Sequence, residues 1–385
     1  MNSRKEYMET MIERYRKAKS RKDKSLIIDE IVSVTDFNRK YVLQQLNGLL
    51  PPPKPKLNNS RALAYTEAMP AIQAVWRALD YPCAERLHPV LLEMADKLAK
   101  HGHLSLSPLV RSQLTEISRP TLGRRLVKWA SEKPAGKPTR AAKSFSRLRT
   151  EIPVQSYDWD EKRPGALEID LVEHNGGSSQ GQFAYTLSVV DVVTGYSRRR
   201  AVANRGQAAV FQAIDYVLRS WPMKPWGIHS DNGSEFMSNH LLRYCQKEKL
   251  TFTRSRPYRK NDNAHVEQKN RQFVREVVGY ERFETPQDVA WLNAVYDCLD
   301  TYANLFLPMR KVISKVRENG KVRKRYDTAR TPLQRLIDSG ALEAATVTKI
   351  QADKASADPV RLHEHLEKLI QGGPDHYTHV DNSTG

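Results

Sequence analysis

Between residues 160 and 280 the chain alternates short apolar runs with helical patterns, and this alternation most limits the folds it can adopt. Three strand-like runs come first and are separated by short turns, which predicts an antiparallel meander. A helix, strand, helix, strand and helix follow. We therefore predict an α/β domain in which a mixed sheet is flanked by helices. The predicted elements are strands 166–172, 183–190 and 196–202, helix 207–218, strand 225–229, helix 236–247, strand 250–254 and helix 261–278.

Three acidic residues in this region occupy three different structural contexts. Asp170 falls inside the first predicted strand, Asp231 directly follows a buried strand, and Glu267 lies on the last helix with 35 residues between it and Asp231. Carboxylates that lie close together repel one another, and a divalent cation relieves this repulsion. Hard oxygen ligands favour Mg²⁺ or Mn²⁺. We predict a site for two such ions in which Asp170 bridges both, Asp231 completes one coordination sphere and Glu267 the other, as in-line phosphoryl displacement requires.

The charge balance points to a polyanionic partner. Lys and Arg number 62 against 44 Asp and Glu, which gives a net charge of +18. Such a surplus favours a polyanionic partner such as double-stranded DNA, because each phosphate contact releases counterions.

Cysteine spacing and hydropathy indicate the compartment. The three cysteines are far apart and form no CxxC pair, which favours a reducing environment. We find no apolar run long enough to span a bilayer and no signal-peptide pattern at the N-terminus. We expect a soluble, intracellular protein without a membrane partner.

Two helical segments ahead of the α/β region suggest helix-turn-helix modules. The first, residues 1–50, ends in a helix that starts with Arg39 and Lys40, and a small helical bundle with a solvated face fits it equally well. The second, residues 64–130, ends in a helix for which Ser118 is the expected N-cap. The predicted DNA contacts on these modules are Arg39, Lys40, Arg119, Arg124 and Arg125.

The rest of the chain divides by composition. A Pro-rich stretch at 51–63 predicts a stiff linker, and 131–159 reads as a basic linker. Residues 160–300 form the predicted catalytic core, 301–371 a basic C-terminal region and 372–385 a flexible tail. An Asn-Gly pair in the C-terminal region predicts a β-hairpin whose cations form a nucleic-acid surface. The predicted DNA contacts on this hairpin are Arg323, Lys324 and Arg325.

The three acidic segments resemble the catalytic core of DDE transposases and retroviral-type integrases, which have a ribonuclease H-like fold. The matching blocks are Glu-Ile-Asp-Leu-Val-Glu-His, His-Ser-Asp-Asn-Gly-Ser-Glu-Phe and Asn-Asp-Asn-Ala-His-Val-Glu, which agree in order and spacing over residues 160–285. The flanking regions resemble bacterial insertion-sequence transposases more loosely. The resemblance implies that the catalytic acids are Asp170, Asp231 and Glu267. It also implies cleavage at the ends of a mobile element, transfer of the 3′-hydroxyl into target DNA, and a homo-oligomer that holds two ends.

The chain departs from the family pattern after the third acid. Many members carry Lys or Arg seven positions beyond the catalytic Glu, and Val274 occupies that position here. We expect Arg271 and Arg275 to contact DNA instead. Asn263, one turn before Glu267, is a further predicted DNA contact that helps to orient this acid.

A zinc-binding His/Cys module like that of retroviral integrases is not expected. Cys83 is the only cysteine in the sequence near His88, His101 and His103, so the second thiolate is missing.

Several residues near the acids allow more than one interpretation of their role. Glu235 fits a helix-start acid better than a fourth metal ligand. His174 and His229 fit substrate contact and ordinary polar packing equally.

Two alternative functions fit parts of the same pattern. One is a ribonuclease H-like nuclease without strand transfer. The other is a domesticated DNA-binding regulator that retains the fold.

Overall fold

The computed structural model describes residues 2–48, 65–129, 163–231, 233–236, 238–255, 263–318 and 321–377. The linkers predicted at 51–63 and 131–159 lie outside these residues. The chain divides into two compact units, Met1–Ala64 and Tyr65–Gly385.

The first unit, in its described part, contains three helices, α1 (Asn2–Lys17), α2 (Arg21–Thr35) and α3 (Arg39–Leu46). Ser20 caps α2 and Asn38 caps α3 through side-chain oxygens that accept backbone amides. One face of each helix is buried because apolar residues recur at helical spacing. The buried residues are Met11, Ile27, Ile28, Ile31, Val42 and Leu46.

The second unit begins with short helices. They are α4 (Met69–Ala78), α5 (Ala84–Leu87), α6 (Leu91–Lys100), α7 (Pro108–Glu116) and α8 (Arg119–Lys128). Their apolar sides share one core with a later helix, in which Trp76 and Tyr302 are buried. The Tyr302 hydroxyl donates a hydrogen bond of 2.7 Å to the carbonyl oxygen of Ala78. These helices therefore pack against the catalytic region.

A mixed sheet forms the centre of the second unit, with strand order β3-β2-β1-β4-β5. The strands are β1 (Ala166–Glu173), β2 (Tyr185–Asp191), β3 (Ser197–Val202), β4 (Gly227–Ser230) and β5 (Thr251–Arg254). β1, β2 and β3 form an antiparallel meander, and β4 and β5 run parallel to β1. The predicted α/β fold with a ribonuclease H-like sheet is confirmed, with strand ends displaced by a few residues.

The two faces of β1 have different roles because side chains alternate along a strand. Leu167 and Ile169 point to one face, where an apolar core joins the sheet to α9 (Gln207–Arg219) and α10 (Asn239–Glu248).

The opposite face of the sheet is polar. Asp170 lies across from Ser188 on β2, and Ser188 lies across from Arg199 on β3. The helix α13 (Pro286–Phe306) packs here, and its Asp300 forms a buried ion pair with Arg199.

The last helix of the core is interrupted. α11 (Ala264–Asn270) passes into a π-helical turn at Arg271–Arg275 and then into α12 (Glu276–Val278). This differs from the single helix predicted over 261–278, because a π-turn inserts extra backbone per turn and changes the direction of later side chains.

Beyond the core, β6 (Val312–Glu318) and β7 (Lys321–Tyr326) form an antiparallel two-stranded ribbon. The predicted hairpin is thereby confirmed, with its Asn-Gly turn outside the described residues. Three helices follow the ribbon within the described residues: α14 (Pro332–Asp338), α15 (Ala344–Ser356) and α16 (Pro359–Gly372). Within the described ranges, no helix has both the length and the apolar character needed to cross a membrane.

Candidate active site

Asp170 lies in the middle of β1, on the polar face of the sheet. Its side chain keeps some exposed surface but is surrounded by protein on most sides. Burial raises the pKa of Asp170 well above its ordinary value, and the negative charges of Asp231, Glu267 and Glu235 raise it further. These four carboxylates therefore lie within electrostatic reach of one another.

Asp231 follows directly after β4, which runs parallel to β1. The backbone amide of Gly233 donates a 2.9 Å hydrogen bond to Asp231 Oδ1. Burial raises the pKa of Asp231, the Gly233 amide offsets part of this effect, and repulsion from Glu235 and Glu267 adds to it. The turn after β4 thus fixes the direction of the second acid.

Glu235 is a fourth carboxylate at this position. It does not start a helix, because α10 begins at Asn239 and Ser238 caps it. A Cβ atom on Gly233 would lie 2.6 Å from Glu235 Oε1 and 2.9 Å from Asp231 Oδ1. The expected helix-start role is therefore wrong, and glycine at 233 allows both carboxylates to approach the same backbone.

Glu267 lies on α11 and is exposed. One helical turn later, the Asn270 Nδ2 group donates a hydrogen bond of 2.7 Å to Asp170 Oδ2. Asn270 is almost fully buried, and its Oδ1 has no hydrogen-bond partner among the described residues. The helix that carries the third acid is thus attached to the first acid.

The donor chemistry of the site fits a hard divalent cation. Asp170, Asp231, Glu267 and Glu235 offer only oxygen ligands, and a cation would relieve the repulsion among them. In the described part of the chain, no group of three His, Cys, Asp or Glu side chains is close enough to hold a metal ion.

Glu168 lies beneath the acids, two residues before Asp170 on the same face of β1. It is fully buried, and its Oε2 accepts a 2.8 Å hydrogen bond from the Val266 amide of α11. Burial raises its pKa to about 8, although the amides of Val266 and His265 lower it.

The two histidines near the acids are packed within the fold. His174 Nε2 lies 2.7 Å from Thr186 Oγ1, and burial lowers the pKa of His174 to about 3. His229 Nδ1 lies 2.8 Å from Thr253 Oγ1. Both histidines are buried, which favours the polar-packing reading over substrate contact.

The cations predicted near Glu267 occupy different environments. Arg271 is exposed and pairs with Glu276 at 3.2 Å. Arg275 is partly buried with its guanidinium 4.7 Å from the Tyr280 ring centroid, and burial lowers its pKa. Asn263 is buried at the start of α11, where its side chain makes no capping hydrogen bond.

The other predicted DNA contacts lie on three separate elements. On α3, Lys40 is exposed, while Arg39 pairs with Asp29 and donates a 3.0 Å hydrogen bond to Ser25 Oγ. Arg119 and Arg124 are exposed on α8, where Arg125 is partly buried. The ribbon residues are all exposed: Arg323, Lys324 and Arg325.

Sequence reasoning did not identify Asn270 or Glu168. Asn270 follows Glu267 by three residues, a spacing that places two side chains on the same side of a helix. Glu168 precedes Asp170 by two residues, which places both on one face of a strand. Helix and strand periodicity therefore places Asn270 and Glu168 on the same side of their elements as Glu267 and Asp170.

Comparison with known proteins agrees with the geometry of this site. Residues 160–260 match the integrase core domain family. The chain is 36% identical over 337 residues to the uncharacterized protein y4rM of Sinorhizobium fredii (strain NBRC 101917 / NGR234), covering 87% of this chain and 95% of that protein. The chain belongs to the same family as y4rM and contains an integrase core domain. The resemblance inferred from the three acidic blocks is confirmed.

Two solved structures show limited similarity to this integrase core protein. One is the catalytic core domain of BIV integrase, at 17% identity over 30% of this chain and 70% of that chain, with a TM-score of 0.25. The other is the HTLV-2 integrase catalytic core domain in complex with magnesium, at 15% identity over 29% of this chain and 68% of that chain, with a TM-score of 0.24.

The integrase core domain at residues 160–260 supports a polynucleotidyl transferase of the transposase and integrase type. Asp170 and Asp231 lie within the matched residues 160–260, and Glu267 lies just beyond them.

Proposed function

We propose that this protein is a DDE-type DNA transposase that cleaves the ends of a mobile element and joins the liberated 3′-hydroxyls to target DNA. The observation that supports this function best is the arrangement of the three elements that carry the acids. β1 and β4 are parallel neighbours in which Ile169 pairs with Ser230, so Asp170 and Asp231 follow at adjacent positions. Asn270, on the helix of Glu267, donates a 2.7 Å hydrogen bond to Asp170 Oδ2.

In this proposal Asp170, Asp231 and Glu267 would hold Mg²⁺ or Mn²⁺. Such cations, when bound, activate the attacking oxygen and stabilise the leaving one in an in-line displacement. The carboxylates would have to approach one another more closely than they do here, since they form no three-ligand group.

Neighbouring residues orient these acids. The Gly233 amide fixes Asp231 Oδ1, and the Asn270 amide group fixes Asp170 Oδ2. This arrangement limits the side-chain freedom that would otherwise be lost on binding.

The predicted DNA surfaces support the same function. Arg119 and Arg124 on α8 are exposed, as are Arg323, Lys324 and Arg325 on the ribbon, so they can reach phosphates. We propose that α3, α8 and the ribbon bind the element ends and the target duplex. Because two ends must be joined together, the active form would be a homo-oligomer on DNA, and its work on chromosomal DNA would take place in the bacterial cytoplasm.

A strand-transfer assay tests the proposal. It combines the full chain, Mg²⁺ or Mn²⁺, labelled duplexes from the two flanks of its own gene, and a supercoiled target plasmid. We expect metal-dependent covalent joining that Glu267→Gln abolishes. The matched control is Glu276→Gln, an exposed glutamate nine residues further along, which should join DNA normally.

Other outcomes would replace the proposed function. Cleavage without joining across both flanks and both metals would indicate a nuclease. Sequence-selective binding without any chemistry would indicate a DNA-binding regulator.

A further inference from the structure

Glu168 is a fully buried acid in a strand that otherwise buries apolar residues below the active site. Burying a carboxyl group costs free energy unless its hydrogen bonds are satisfied. Its Oε1 has no hydrogen-bond partner among the described residues, so the fold does not recover this cost fully. An apolar residue would be easier to bury at this position, which suggests that the carboxyl group has a specific role.

The role is indicated by the partner of the other oxygen. Glu168 Oε2 accepts the Val266 amide at 2.8 Å, across 98 residues of sequence. The His265 amide also interacts with this carboxylate. Both amides directly precede Glu267 in the chain, so the bond fixes the backbone that carries the third acid.

A second hydrogen bond from a side chain holds α11 near its other end. Asn270 donates to Asp170 at 2.7 Å, so α11 is bound to β1 at Val266 and again at Asn270. Glu267 lies between these two points. Glu168 and Asp170 are two residues apart, so they lie on the same face of β1. This one strand therefore supplies the first acid, Asp170, and both of the side chains that hold α11.

We propose that Glu168 is a positioning residue that sets the placement of Glu267 relative to Asp170. This inference rests on the proposed function for its catalytic consequence. Its structural consequence is independent of that function: removing the Glu168 carboxyl group should loosen the start of α11 while the Asn270 bond still holds its end.

The test compares two variants with a matched control. Glu168→Ala removes the hydrogen-bond acceptor, whereas Glu168→Gln keeps an oxygen that can accept the Val266 amide. Asp191→Asn is the control, because Asp191 is another buried acid that accepts backbone amides, from Gly165 and Thr194, in the β2–β3 turn.

Hydrogen–deuterium exchange of the full chain, without DNA or metal, gives the first measurement. Glu168→Ala should exchange faster over residues 264–270, whereas Glu168→Gln should remain close to the wild type there. Asp191→Asn should leave that segment unchanged even if it lowers overall stability. Unchanged exchange over 264–270 in Glu168→Ala would overturn the proposal.

Metal titration and kinetics give the second measurement. Residues that support metal ligands typically change metal affinity or activity by about 10- to 100-fold. Glu168→Ala should weaken Mn²⁺ binding by an amount in this range. It should also lower the kcat of cleavage with little change in the KM for DNA. Glu168→Gln should restore most of the Mn²⁺ affinity and most of the kcat. If the wild type performs no DNA chemistry, the proposed function fails, while exchange and Mn²⁺ binding still decide the role of Glu168. Equal Mn²⁺ affinity in wild type and Glu168→Ala would contradict that role.

Discussion

The side-chain amide of Asn270 donates a 2.7 Å hydrogen bond to Asp170 Oδ2 across 100 residues of sequence. This bond links Asp170, the first acid, to α11, the helix that carries Glu267. Because Asn270 is almost fully buried, water cannot easily take its place as the hydrogen-bond donor to Asp170. The orientation of Asp170 therefore depends on α11 as well as on its own strand.

Asn270→Ala should lower metal-dependent DNA cleavage by about 10- to 100-fold, the usual effect of losing a group that orients a metal ligand. The cause is the free rotation of the Asp170 carboxylate. Single-turnover cleavage with Mg²⁺ measures the effect. Gln268→Ala, an exposed neighbour on the same helix, is the control; equal rates for the two variants would contradict the role of Asn270.

Asp170→Asn, Asp231→Asn and Glu267→Gln should each reduce cleavage and joining by more than about 100-fold, beyond the range for supporting residues. Each change removes a carboxylate that the cations need. Binding to element-end DNA should be retained, because it relies on basic surfaces elsewhere. A gel-shift assay beside the strand-transfer assay separates the two effects, and wild-type cleavage by any variant would falsify the ligand role of its residue.

Asp300→Ala should destabilise the second unit by about 3–5 kcal/mol, the typical cost of leaving a buried charge unpaired. Asp300 pairs with Arg199, and their side chains are 4% and 0% exposed. Asp338→Ala, which breaks the exposed pair with Arg330, should cost at most about 1 kcal/mol. Urea unfolding compares the two, and equal midpoints would show that the buried pair contributes nothing special.

His174 should make the fold sensitive to acid. Its pKa is about 3 in the folded chain, because burial disfavours the charged ring, against an ordinary value of 6.5. Between these values the unfolded chain binds the proton and the folded chain does not. The free energy of unfolding should therefore fall as pH drops from 6.5 toward 3, by up to about 1.4 kcal/mol per pH unit.

His174→Gln should reduce this pH dependence, measured as the urea midpoint between pH 7 and pH 5. Other titrating groups add their own slopes, so the informative quantity is the difference from the wild type. His376→Gln, at an exposed histidine, should keep the wild-type slope. The same slope in all three proteins would show that His174 is not the sensitive group.

Replacing Arg323, Lys324 and Arg325 together with Ala should weaken DNA binding in a salt-dependent way. Each phosphate contact contributes about 0.9 to the slope of log K against log salt concentration, so the slope should fall by up to about 2.7. Replacing Lys349, Arg361 and Lys368, three exposed cations on the C-terminal helices, with Ala is the control for net charge. An equal loss of slope in both would indicate a general charge effect rather than a ribbon site.

Much of the catalytic region could be predicted from the sequence. Local periodicity predicts the strand that carries Asp170. It also predicts the strand before Asp231 and the helix that carries Glu267. Two local predictions failed for a nonlocal reason. Glu235 does not start a helix, and the helix after Glu267 contains a π-turn, because packing of the complete chain decided both.

The sequence by itself determined the order of the strands and helices along the chain, since hydrophobic periodicity and turn residues act over only a few positions. Its resemblance to integrase cores predicted the three acids. The tertiary structure alone decided which groups hold those acids. The bonds from Val266 to Glu168 and from Asn270 to Asp170 join residues 98 and 100 positions apart. No local pattern specifies such pairs, because they form only when the sheet and α11 pack and exclude water from the groups between them.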